Sequence, residues 1–387
     1  GASKAFAAAI TTSDATATLD INGTATFSDT VQAGITTVDG ATTFSSTLTN
    51  TGLMTISSAT TVTGVYTGTG AANINAAMTF AANASFNHAT ETLLAHTLTF
   101  NGTTLTATGT NGIETDAAAA ALTLSGSAAQ TVAAQITPDT TNEFVLTNSN
   151  TSGTVTFNEK VGVVAGALAE LIDTDTSTTS VFKKEVGAVL FTVDGTATLT
   201  LDSNQATNVD INTAGTLIID DTITNGQEIF LAGTSVVDGS VAGTGNIQMP
   251  ANLLDGQTLV LIAETTDAAD AAIVVDVEAA VLDTALRTYT VSAVVIGGDD
   301  NNITITAADN SAATVASNLG TTTNMGTALI QAGIAVAGDA TALDAFTNAL
   351  NANGYTATED TALAKQVAPQ TDGIAGSTSA TRAMTGT

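Results

Sequence analysis

With 387 residues, 7 Lys+Arg against 36 Asp+Glu and a net charge of -29, the chain is excluded as a reader of phosphate backbones, because such a surface must be basic to release counterions. It has no Cys and no Trp, so disulfide scaffolds, Cys-bearing zinc sites and thiol chemistry fall together. Hydrophobic residues make up 44 % and recur along the chain instead of clustering, so a core is expected despite the charge.

The opening residues, GASKAFAAAI, read as a mature terminus left after removal of a signal peptide, and residues 1–14 are expected to act as an assembly segment. No apolar run approaches the roughly 18 residues of a membrane helix, so no transmembrane segment is expected. From residue 15 a register emerges: TATF ends at Phe27, ATTF at Phe44, ATTV at Val62, AMTF at Phe80 and TLTF at Phe100, at intervals of 17, 18, 18 and 20 residues. A repeat of this length is too short for a helical hairpin or a propeller blade and suits one turn of a β-solenoid. Between the anchors, small polar and apolar residues alternate, as in Thr47-Leu48-Thr49 and Thr55-Ile56-Ser57, the period of half-buried strands.

Dipeptides that tolerate positive φ punctuate the strands, among them Asn22-Gly23, Asp39-Gly40, Asn101-Gly102 and Asp194-Gly195. Read as hairpins, they would favour a sandwich. The solenoid accounts better for the composition, because like stacked over like at about 4.8 Å ladders Phe inside and Thr and Asn outside. The expected fold is mostly β: a right-handed parallel β-helix (solenoid) over residues 15–250, with about fourteen coils and a length of ~65 Å. A break is expected over 161–184, where Val164, Leu168 and Leu171 have helical spacing.

After Pro250 the stretches Leu254–Thr266 and Val274–Asp309 carry continuous apolar faces. Residues 251–324 are therefore expected to form a β cap of longer strands, since an open solenoid end exposes unpaired backbone and core. Residues 325–370 turn helical, with Leu343, Phe346 and Leu350 on one face behind Thr341, a stop at Asn353-Gly354, and a second helix from Thr358 that ends before Pro369. Residues 371–387 are a Ser/Thr/Gly-rich tail.

Ala342-Leu343-Asp344, Ala362-Leu363 and Gln366-Val367-Ala368-Pro369, preceded by LVLIAETT and by YTVSAVV and NNITITAAD, resemble the linker and last passenger strands of a bacterial autotransporter of the type V secretion class. The resemblance implies a β-helical passenger on the extracellular or outer surface of a Gram-negative bacterium, here without its barrel. The absence of a GDSGS-like serine motif sets the sequence apart from the protease branch of that family.

Catalytic inventory is thin. His88 and His96, with Glu91 between them, are the two imidazoles; eight residues apart in an extended strand they lie about 27 Å from each other, and they read as surface or coil-corner residues. No G-x-S-x-G elbow occurs, so a serine triad is not expected. The carboxylate pairs Asp173/Asp175, Asp220/Asp221 and Asp299/Asp300 could support glycan cleavage. Asp173, Asp175, Asp299 and Asp300, in turns rich in hard oxygens, are better read as calcium candidates or as solvated turns. The expected function is a secreted or cell-surface structural and adhesive protein, not an enzyme. It would assemble head to tail into a filament or layer through its first ten and last fifteen or so residues, a homopolymer with cell-surface or glycan contacts and no nucleic-acid partner. A glycan-binding or glycan-cleaving β-helix of tail-spike type, and a calcium-dependent surface-layer module, are the alternatives.

Overall fold

A computed structural model describes residues 3–336 apart from residues 13, 82–83, 90–91, 109–111, 116–119, 139–142, 163–167, 174–177, 200–204, 212–214, 221–222, 232–239, 244, 251, 298–299 and 321. Among the described residues, two parallel sheets of twelve strands each and a third of seven make up the faces of a β-solenoid. One coil consists of Ala25–Phe27, Val31–Ala33 and Ile35–Val38, and the next of Thr42–Phe44, Leu48–Asn50 and Met54–Ile56. Three- and four-residue strands alternate buried, half-buried, buried. A strand this short turns two side chains inward and one outward, which is the alternation read from the sequence.

The anchor residues stack in one column. Phe6 pairs with Phe27, Phe27 with Phe44, Phe44 with Val62, Val62 with Phe80, and Phe80 with Phe100. The Phe6 and Phe27 rings lie 4.8 Å apart and those of Phe27 and Phe44 5.1 Å apart, both stacked. Each fully buried ring of this kind contributes roughly 1.5–3 kcal/mol of transfer free energy. The corners are closed by glycine: a Cβ on Gly70 would meet the Gly52 carbonyl oxygen at 2.1 Å, so successive coils approach there more closely than any side chain permits.

Several expectations are corrected. The stack begins before residue 15: Lys4–Phe6 pairs in parallel with Ala25–Phe27, and Ile10–Thr11 with Val31–Gln32, so the segment 1–14 supplies strands of the first coil. The first and second sheets hold twelve strands each between Lys4 and Gln248, against the fourteen expected. The reason is that the step from Leu98 to its partner Leu122, from Leu122 to Leu146 and from Leu146 to Leu171 lengthens to 24 or 25 residues.

The expected break at 161–184 is bridged. Leu168–Asp173 lies between Glu143–Asn150 and Gly187–Val193, and Thr179–Phe182 continues the second sheet. Leu168 and Leu171 are buried in the solenoid core, Leu168 paired with Ala188 and Leu171 with Leu146 and Phe191; a spacing of three would put them on opposite faces of a regular strand, and the register of pairing passes over position 169 between them. Val164 lies outside the described residues.

The cap is mixed. Glu228–Leu231, Thr258–Thr266, Asp300–Asp309 and Arg287–Gly297 form a four-stranded sheet in that order, the first pair parallel and the others antiparallel. Within the stretch expected to be strand, helix α1 spans Asp267–Ala280. Its Ala-rich start favours helix, and Ile273, Val277 and Ala280 recur at helical spacing and are buried in the solenoid core. Leu282 N–H donates to the Ile247 carbonyl, so α1 and the segment after it cover the last coil. Helices α2 (Ala312–Asn318) and α3 (Thr323–Val336) pack around a second cluster of Ala285, Leu286, Val315, Leu319 and Leu329. The expected helices beyond residue 336 and the tail lie outside the described residues. No described helix is long and apolar enough to cross a membrane.

Candidate functional site

The two calcium candidates, Asp173 with Asp175 and Asp299 with Asp300, are separate stretches of the sequence, and their described members, Asp173 and Asp300, belong to different sheets. Asp173 ends a strand of the first solenoid sheet, paired with Asn148 and Val193, whereas Asp300 begins a cap strand, paired with Thr266 and Gly297. Asp175 and Asp299 lie outside the described residues, as do Glu91 and Asp221. Among the described residues, no three His, Asp or Glu side chains come together in a way that would hold a metal ion.

The two histidines part company. His96 is exposed in a turn, where its Nδ1 accepts from the Thr97 N–H at 2.8 Å. His88 is neither at the surface nor solvated: it ends a strand of the second sheet and is 1 % exposed. Its ring packs 5.9 Å from Tyr66 and 5.8 Å from Phe86, and its Nδ1 lies 2.9 Å from the Thr92 hydroxyl. Tyr66 sits in the inward column Leu48, Tyr66, Phe86, Leu105. Its hydroxyl is buried without a hydrogen-bond partner, and burial pushes its pKa up. Gly68 makes room for the cluster, since a Cβ there would lie 2.3 Å from both the Tyr66 hydroxyl and His88 Cδ2. A cluster this enclosed reaches no substrate; its role is to fill the lumen.

At the start of the solenoid a recess of about 650 Å³ is lined by Phe6, Ile10, Leu19 and Ile21. Phe6, the outermost ring of the ladder, is 39 % exposed. Lys4–Phe6 and Ile10–Thr11 each pair on one side only among the described residues. The opposite end is the one α1 covers.

The remaining feature is lateral. On the outward side of the first sheet, register pairing aligns Thr26, Thr43, Thr61, Thr79, Thr99, Thr123 and Thr147, seven coils in succession. The comparable column of the second sheet is interrupted by Asn87 and Ala133, and that of the third by Asn73, Leu93 and Glu114. The hydroxyls of Thr51, Thr63 and Thr69 donate to carbonyls of the preceding coil. Those of the seven column threonines make no hydrogen bond to the protein among the described residues. The signal for this column stood in the sequence as the Thr immediately before each anchor, in TATF, ATTF, ATTV, AMTF and TLTF.

No protein-family model, no curated protein and no solved structure matches this chain. The geometry therefore speaks by itself: a buried aromatic lumen, a first coil paired on one side only among the described residues, a last coil covered by α1, and an outward face of repeated hydroxyls and methyls.

Proposed function

We propose that the chain is a structural and adhesive rod of an exported surface protein, of the kind found on the outer surface of Gram-negative bacteria, whose lateral faces and not a cleft do its work. The observation that carries this reading is the two twelve-stranded ladders, with an outward column that repeats the same side chain over seven coils. Repetition multiplies weak contacts along a length, which serves attachment; catalysis needs a few groups held together. The polar side chains of the lumen are turned to internal bonding, as between Thr36 and Asn50 or Asn148 and Ser180. Among the described residues, glycan cleavage gains no support from tyrosine platforms, since Tyr66 and Tyr289 are both buried.

Assembly in this reading runs through one end. Strand addition is open at Lys4–Phe6, where strand alternation points the Ala5 N–H and C=O away from the sheet, while α1 covers the last coil. Contact at the first coil is opposed at low ionic strength by the charge of -29 and eased by salt, and the last fifteen residues, the other half of the head-to-tail reading, lie outside the described residues.

Display of the full chain on a non-adherent cell is expected to raise attachment, with no polysaccharide turnover. Depolymerisation of a polysaccharide that is lost on Asp173→Ala or Asp299→Ala would overturn the non-enzymatic reading. Light scattering is expected to show salt-promoted self-association that Ala5→Pro abolishes; monomers at every salt concentration would overturn the assembly.

A further inference from the structure

The seven-threonine column asks for an explanation that Thr's preference for strands does not supply, because that preference acts equally on all three sheets and only the first has an unbroken run. Its surroundings are as uniform as the column itself. The chain alongside carries Ala41, Ala59 and Ala77 on one side and Ser28, Ser45 and Thr63 on the other, held in register by backbone bonds to neighbouring coils. The first-sheet strands from Ala25–Phe27 to Ala121–Gly126 contain no charged residue, and no Asp, Glu, Lys or Arg occurs between Asp39 and Glu91. In a chain of net charge -29, the charge has been kept off the strands of the first six rungs; the strand of the seventh begins with Glu143, four residues before Thr147.

A surface that is rigid, uncharged and periodic in steps of about 4.8 Å suits a partner that is itself a periodic solid. In a tetrahedral water lattice, next-nearest oxygens are about 4.5 Å apart, the span of two hydrogen bonds of ~2.75 Å meeting at the tetrahedral angle. The two periods differ by about 0.3 Å per rung, so three or four successive rungs stay in step before the offset reaches about 1 Å. Each Thr offers a hydroxyl that can replace a lattice water and a methyl that can settle in a lattice hollow. The small flanking side chains leave both within reach. Charged groups would impose their own hydration and break the match. A polysaccharide would want aromatic platforms, and the first-sheet strands have no outward ring.

We propose that the outward face of the first sheet binds ice through Thr26, Thr43, Thr61, Thr79, Thr99, Thr123 and Thr147. This deepens the adhesive reading by naming a solid to which the rod attaches, and it rests on that reading's claim that a lateral face is the working surface.

The test is partition of dye-labelled full-length protein into slowly growing ice, read beside inhibition of ice recrystallisation. Wild type is expected to be enriched in ice several-fold over a non-binding protein of equal size. Thr61→Lys with Thr79→Lys is expected to fall to the control level with unchanged circular dichroism. Thr61→Ser with Thr79→Ser keeps the hydroxyls, loses the methyls and spares the fold, and it should weaken partition. Thr37→Lys with Thr55→Lys, on the third sheet, should leave partition intact. Exclusion of wild type from ice, or enrichment unaffected by the Thr61 and Thr79 changes, overturns the inference, as would pairing of two copies through this face in place of ice uptake. Cell attachment measured above freezing is independent of all these outcomes, so failure here and failure of the adhesive-rod reading are told apart.

Discussion

The early and late coils of the solenoid solve the same packing problem in different ways. From Ala25 to Thr115 each coil has three short strands, and the inward anchor column is Phe27, Phe44, Val62, Phe80 and Phe100. From Glu143 onward the first-sheet strands grow, to eight residues at Glu143–Asn150 and seven at Gly187–Val193, and among the described residues the third face is reduced to single bridges at Val161 and Val186. The same register continues through Asn148, Asp173, Val193 and Ile211. Short coils with glycine corners repeat one filling along the anchor column and pair lumen polar groups such as Thr36 and Asn50. Longer coils tolerate polar residues in the lumen where each finds a partner, as Asn150 does with the Ala128 carbonyl and Gln130, because a satisfied buried amide costs little while an unsatisfied one costs about 1–3 kcal/mol. Regularity, and the threonine column that depends on it, belongs to the early half.

The sharpest way to break this contrast is to remove a rung of the aromatic ladder. Phe80 is fully buried against Tyr66, Phe86 and Phe100, so Phe80→Ala is expected to lose about 3–5 kcal/mol in denaturant unfolding. Asn148→Ala in the late coils leaves the Ser180 hydroxyl without the 2.7 Å bond it accepts and is expected to lose about 1–2 kcal/mol. Equal losses would show that the two halves are not built differently. The corners give a paired test of the close approach: Gly70→Ala, which meets a backbone oxygen, is expected to cost about 1–3 kcal/mol by overpacking. Gly23→Ala has nothing within 4 Å of the added Cβ and should stay within about 0.5 kcal/mol of wild type.

How much of this was legible in the sequence follows the same division. In the early coils the anchor Phe repeats with little change of loop length, so Phe27, Phe44 and Phe80 announced a single stack and the parallel fold with it. In the late coils the period drifts and a polar residue, Asn148, takes the anchor position, so nothing local marked Leu168 and Leu171 as strand residues; only pairing with neighbouring coils decides them. Helix α1 was hidden because Ile273, Val277 and Ala280 sit among other apolar residues, and the same run reads as a continuous strand face. His88 was misplaced because a lone imidazole gives no sign of a lumen position until Gly68 and Tyr66 are seen beside it. The calcium candidates were chosen by composition, and the second carboxylate of each turn, Asp175 and Asp299, lies outside the described residues.

A smaller effect sharpens the account of the lumen. Burial raises the Tyr66 pKa above its ordinary value of 10.0, so its neutral form contributes stability that is fully present below about pH 10 and is lost as pH rises further, where the unfolded chain ionises first. Tyr66→Phe removes a buried hydroxyl without a partner and should be neutral, or stabilising by up to about 1 kcal/mol, at pH 7. Above pH 10 the variant should retain more of its stability than wild type, as followed by thermal unfolding across pH. The smallest expected effect is at the late-coil surface, where Lys160 Nζ and Glu185 Oε2 lie 2.6 Å apart with the lysine 45 % exposed. Glu185→Gln is expected to cost less than about 1 kcal/mol, and the difference should fade as salt is added.

The account turns on the threonine column being one straight, in-register line, since both the solenoid and the binding face proposed on it require that. The chain has no native Cys, so Thr26→Cys and Thr147→Cys can carry a pair of spin labels without interference. Six coil steps separate the two positions, and pulsed electron resonance is predicted to give a narrow distribution centred near 29 Å, at about 4.8 Å per step. A broad distribution, or a centre displaced by more than about two coil steps, would contradict the column and with it the central claim.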